Sequence, residues 1–172
     1  MKRAPRALPT HPTVSYMNDA SSSQLPDQQA RDSALDIRQS FIVQAPAGSG
    51  KTELLTMRYL KLLAMSSQPE EVLAITFTKK AASEMRDRII RILSWCRTCD
   101  GACSHLSGIE AARLKIGRSV LEGDSRQNWR LMESPGRLRV QTIDSFCFYL
   151  AKQLPTLSLI GGNPNVTEDI DI

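Results

Sequence analysis

Phe41-Ile42-Val43-Gln44-Ala45-Pro46-Ala47-Gly48-Ser49-Gly50-Lys51-Thr52 is the stretch on which the fold turns. An apolar run, Phe41 to Val43, leads into small residues, and Gly50-Lys51-Thr52 then opens a leucine-rich segment. Strand, small-residue loop and helix in that order form the context of a phosphate-binding loop. Gly48 and Gly50 lack a Cβ, so the backbone can take positive φ there and aim its N–H groups at phosphate oxygens. The helix behind them directs its free N–H groups and positive dipole end at the same anion. Lys51 is placed to reach the β- and γ-phosphates and Thr52 to ligate Mg²⁺. Ala45 stands where the strict pattern has its first glycine, so residues Ala45, Pro46, Ala47, Gly48, Ser49, Gly50, Lys51 and Thr52 read as a relaxed loop for ATP. Lys51 is its catalytic cation.

The rest of the chain supports an α/β reading. Around that loop, residues 41–45 are expected to form a buried strand and residues 50–65 its helix, stopped by Ser66-Ser67-Gln68-Pro69. Val72 to Phe77 reads as a second strand. The helix after it runs from Lys79 to about Leu93, where Met85, Ile89, Ile92 and Leu93 line one face. Strand, helix, strand, helix implies a parallel sheet with right-handed crossovers. A polar helical stretch over about 109–133 is followed by a third strand, Leu138 to Thr142. A further helix over 145–153 is expected to be capped by Asp144 or Ser145. Residues 1–26, rich in Pro, Ser, Thr and Asn, read as a disordered leader. Residues 27–40 have helical character, with Asp27 as a candidate cap.

Composition bounds the function. At 172 residues, 41% hydrophobic and 23% charged, the chain suits one soluble domain. No apolar run approaches a membrane span, and the basic N-terminus lacks the apolar region of a secretory signal, so a cytoplasmic protein without membrane contact is expected. Residues 41–154 carry 17 Lys+Arg against 11 Asp+Glu, a modest basic excess that suits a polyanionic partner. Cys96, Cys99, Cys103 and His105 are four soft ligands for tetrahedral Zn²⁺, but their spacing is not that of two ligand pairs. They read instead as an exposed loop of reduced thiols, with Cys147 a buried helix residue.

Two more segments fall at the carboxyl ends of strands, where an open α/β sheet meets its ligands. Phe77-Thr78-Lys79-Lys80 and Thr142-Ile143-Asp144-Ser145 each offer hydroxyls and a helix N-terminus. Such groups contact a phosphate backbone without reading sequence, and Phe77 is suited to stack on a base. Each segment taken alone is also ordinary helix capping.

Together, APAGSGKT (45–52), AITFTKKAASEMRDRI (74–89) and RVQTIDSFC (139–147) resemble the opening motifs of superfamily 1 helicases of the UvrD/Rep type. Trp129 and ESPGRLRVQTID (133–144) resemble the RecB/AddA-like exonuclease V helicase subunits in particular. The resemblance covers about residues 27–168. It implies an incomplete RecA-like P-loop NTPase domain over 27–172, with residues 95–133 as an inserted helical region, the start of subdomain 1B. It further implies ATP and Mg²⁺ as cofactors, with Thr52 on the metal. Single-stranded DNA would contact Phe77, Thr78, Lys79, Lys80, Thr142 and Asp144, and a helicase or nuclease subunit is an expected partner. The adenine-reading glutamine of this family has candidates in Gln28 and Gln29, although Ala30-Arg31 competes for that place. No Asp-Glu pair follows an apolar strand in these 172 residues, so the chain reads as an N-terminal piece of an ATP-dependent DNA helicase that binds nucleotide with almost no turnover. The alternative is a non-enzymatic nucleotide- or DNA-binding remnant or regulatory fragment.

Overall fold

A computed structural model describes residues 28–99 and 106–153. The expected leader, Asp27, the residues 100–105 and the acidic tail lie outside them. In chain order the elements are α1 (Gln28–Ala34), α2 (Lys51–Leu63), β1 (Leu73–Thr76), α3 (Lys79–Thr98), α4 (Gly108–Gln127), β2 (Arg139–Thr142) and α5 (Ile143–Gln153). Short 3₁₀ turns at Pro69–Glu71 and Pro135–Arg137 lead into the two strands.

The strands pair in parallel, with Leu73 beside Arg139 and Thr76 beside Thr142. Both therefore end at the same edge, where α3 and α5 begin. Helices α2, α3 and α4 pack together and α3 lies across the sheet. Leu60, Leu63, Ile89, Leu93, Val120 and Val140 are fully enclosed there. Trp129 is buried beside Gly123 and donates from its indole nitrogen to the Ser67 carbonyl at 3.3 Å.

Three expectations about elements are corrected. Residues 41–45 form no strand, and Ile42 is 99% exposed. A strand exists only where a neighbour completes its hydrogen bonds, and among the described residues β1 and β2 satisfy each other and not this segment. Helix α3 continues past Leu93 to Thr98, because Cys96 extends the buried Ile89–Ile92–Leu93 face by another turn. Helix α5 is capped by Thr142 and not by Asp144 or Ser145: the Thr142 Oγ1 accepts from the Ser145 N–H at 3.2 Å.

Candidate nucleotide and nucleic-acid site

The glycines of the 45–52 loop adopt the conformation their type allows. Gly48 and Gly50 sit at φ 78° and 81°, in the left-handed region where a side chain is strained. Gly50 is the N-cap of α2 and supplies no side-chain cap. Helices α3 and α4 differ, since Thr78 accepts from Ala81 and Ser107 forms a capping box with Glu110. The first-turn N–H groups of α2 are thus left for an external acceptor, as anion binding requires. Lys51 folds over the loop and donates to the carbonyls of Ala45 and Pro46. The Ser49 hydroxyl is buried without a hydrogen-bond partner. Two cations, uncapped N–H groups and an orphaned hydroxyl around one turn fit a polyphosphate.

The second cation is Arg31. Its guanidinium donates to the Ser49 carbonyl at 2.7 Å and lies beside Gly50, where a Cβ would stand 3.1 Å from Nη1. Arg31 therefore holds the loop's outer carbonyl from α1. Of the two candidate adenine-reading glutamines, Gln28 bonds Asp32 on its own helix and Gln29 is exposed. A cavity of about 380 Å³ between α1 and the loop is lined by Arg31, Ala34, Phe41, Val43, Lys51 and Leu54, among others. The segment entering the loop is pinned by α2. Arg58 donates to the carbonyls of Ala34, Asp36 and Gln39, and its guanidinium lies 5.4 Å from the Phe41 ring centre.

The two strand-end segments come together as expected from their positions after β1 and β2. Phe77 is 93% exposed, and Thr78, Lys79, Lys80 and Asp144 are exposed beside it at the shared edge. Lys80 makes a loose 4.0 Å pair with Glu84. Thr142 differs: it is buried, and its hydroxyl is engaged with Ser145 Oγ at 2.8 Å. It shapes the α5 N-terminus rather than facing solvent.

Two features escaped the sequence reading. Glu53, in the first turn of α2, receives Arg113 Nη2 at 2.6 Å and Arg88 Nη1 at 3.3 Å. Arg86 donates to the Val140 carbonyl at 2.6 Å, tying α3 to β2. Charge alternation along α3 was the available signal, but it does not say which arginine turns inward.

The cysteine reading is also corrected. Cys96 is a buried free thiol inside α3, and burial pushes its thiol upward in pKa. Cys99 is disulfide-bonded, which removes a thiolate from any zinc set. Cys103 and His105 lie outside the described residues. Cys147 is exposed, not buried. Among the described residues no group of three or more His, Cys, Asp and Glu is placed to hold a metal ion.

The profile of the UvrD/REP helicase N-terminal domain matches residues 26–170, nearly the whole chain. The chain belongs to this family. DNA helicase II of Salmonella typhimurium is 31% identical over 134 residues, which is 74% of the chain, and the Escherichia coli DNA helicase II matches equally. The ATP-dependent DNA helicase PcrA of Staphylococcus aureus is 39% identical over 86 residues, or 46% of the chain. This UvrD/REP domain spans 17% of the length of the first two and 12% of the third. No solved structure matches it. Its helix-rich α/β arrangement around a parallel strand pair is that of a partial RecA-like helicase domain. Among the described residues no helix is long and apolar enough to cross a membrane.

Proposed function

We propose that the chain is the ATP-binding and single-stranded-DNA-binding portion of an ATP-dependent DNA helicase that serves recombination or repair. The observation that carries this reading is the uncapped start of α2 behind Gly48 and Gly50, with Lys51 turned over the loop. Residues 45–52 would hold the triphosphate, Lys51 its terminal phosphates and Thr52 the magnesium ion, while Arg31 fixes the loop from outside. Bound MgATP supplies the phosphoryl group whose transfer drives the parent enzyme. Phe77, Thr78, Lys79, Lys80 and Asp144 form the strand-contacting edge, and Thr142 sets the direction of α5 from beneath. Closeness to the RecB/AddA-like subunits rests on Trp129 and residues 133–144, and it would bring a helicase or nuclease partner subunit. Residues 1–26 would be a leader, and the helices within 95–133 the start of subdomain 1B.

These 172 residues are expected to bind nucleotide without appreciable hydrolysis. Phosphoryl transfer relies on positioning and charge neutralisation, and within residues 1–172 no Asp-Glu pair follows an apolar strand to hold Mg²⁺ from a second side. Titration with a fluorescent ATP analogue and Mg²⁺ tests the reading. Lys51→Ala should weaken binding by about 10- to 100-fold, the loss of one or two charge-assisted hydrogen bonds. Equal binding by wild type and variant would refute the nucleotide assignment. Steady Lys51-dependent ATP turnover would refute the lack of hydrolysis.

A further inference from the structure

We propose that Glu53 is a positioning residue that couples the phosphate-binding loop to the strand-contacting edge, an inference that rests on the function proposed above. Glu53 follows Thr52 directly, so any change in the first turn of α2 moves its carboxylate. That carboxylate is held from two other elements, by Arg88 of α3 at 3.3 Å and Arg113 of α4 at 2.6 Å. Helix α3 is the element whose first turn carries Lys79 and Lys80. Arg88 lies about 13 Å along it from Lys79, at 1.5 Å per residue. A helix is stiff over that length, so a pull on Arg88 is felt at the exposed edge. The same helix grips β2 through Arg86 and the Val140 carbonyl at 2.6 Å, and β2 ends at Thr142. One residue thus adjoins the loop through the chain itself and grips the frame of both strand-end segments through its carboxylate.

A purely structural staple explains the arrangement less well. The Glu53 and Arg113 side chains are each 28% exposed and Arg88 is 41% exposed. Pairs this open contribute little to stability. They also adjoin a cavity of about 300 Å³ lined by Glu53, Arg88, Arg91, Trp95 and Arg113, among others, which leaves the carboxylate room to change partners. Among the described residues Arg91 donates only a long 3.4 Å bond to the Asp87 carbonyl, so its guanidinium can take over as the carboxylate shifts. Glu110, in the first turn of α4, is held by the Ser107 N–H and hydroxyl at 3.0 and 2.8 Å, which leaves Arg113 to Glu53.

The test uses the 172-residue chain, a fluorescent ATP analogue with Mg²⁺, and an oligothymidylate strand. The quantity read is the ratio of nucleotide Kd without and with the strand. In wild type it should depart from one by about fivefold or more, as coupled sites do. Glu53→Gln should bring the ratio back toward one by roughly 2- to 30-fold, while nucleotide affinity without DNA stays near wild type. Arg88→Gln and Arg113→Gln each leave one bridge, should give intermediate ratios, and decide the matter if Glu53→Gln does not fold. A wild-type ratio in the folded variants would overturn the proposal. A ratio of one in wild type, with binding still dependent on Lys51, would overturn the coupling alone. Binding indifferent to Lys51→Ala would remove the nucleotide reading and this inference with it.

Discussion

Gly117 of α4 sits against Cys96 of α3 so closely that adding one methyl group should reveal the helix contact. An ideal Cβ at Gly117 would lie 2.3 Å from the Cys96 sulfur, 3.2 Å from its Cβ and 3.9 Å from Ile92 Cγ2. Comfortable nonbonded contact between carbons needs about 3.5–4.0 Å, so the sulfur is more than an ångström too near. Glycine in a helix interior costs about 1 kcal/mol relative to alanine, which favours the substitution. Overpacking of this kind costs about 1–3 kcal/mol. Turning the thiol away also gives up its weak 3.9 Å contact to the Arg113 carbonyl. The net expectation for Gly117→Ala is a loss of up to about 2 kcal/mol, with Tm falling by roughly 2–4 °C per kcal/mol. In a Cys96→Ala background the sulfur is gone and the helix preference remains. There Gly117→Ala should be neutral or stabilise by up to about 1 kcal/mol. Urea denaturation followed by circular dichroism on the four proteins gives the cycle, with a coupling of about 1–3 kcal/mol expected. The same sign and size in both backgrounds would refute the α3–α4 approach described here.

Two other outcomes follow from the packing. Trp129→Ala should cost about 3–5 kcal/mol in urea denaturation, because an enclosed indole and its bond to Ser67 are lost together. Arg137 bonds Glu70 at 2.6 Å and holds its carboxyl below the ordinary range, so the pair should stabilise the fold above about pH 4.3 and lose that contribution as pH falls through the lowered native pKa. Arg137→Gln should flatten this acid limb in a pH series of thermal melts; an unchanged limb would assign it to other carboxylates.

Much of the site was readable because its chemistry depends on residue type at fixed spacing. Gly48, Gly50 and Lys51 announce a loop whatever surrounds them, and the Met85–Ile89–Ile92 face announces α3. What failed were statements that needed a neighbour. The run Phe41 to Val43 has strand composition, but a strand also needs a paired backbone, and that depends on which segments lie alongside. Cys96 was grouped with Cys99 by proximity in sequence, although it continues the apolar face of α3. Asp144 or Ser145 looked like the cap of α5, yet Thr142 reaches the Ser145 N–H first. Glu53 carried no local signal at all, since its partners Arg88 and Arg113 arrive from distant parts of the chain.

The pairing of β1 with β2 has a consequence for how the chain comes to be folded. Every partner in that ladder is separated from its mate by the whole of α3 and α4. During synthesis β1 leaves the ribosome on the order of seconds before β2 does. Throughout that interval Leu73 to Thr76 lacks its β2 partner, while α3 and α4 can already form from local contacts. The helical pair is then the template on which the two strands meet, and loop closure is shortened by the docking of α4 on α3. Changes that loosen Gly117 against Cys96 should therefore delay the sheet as well as weaken it.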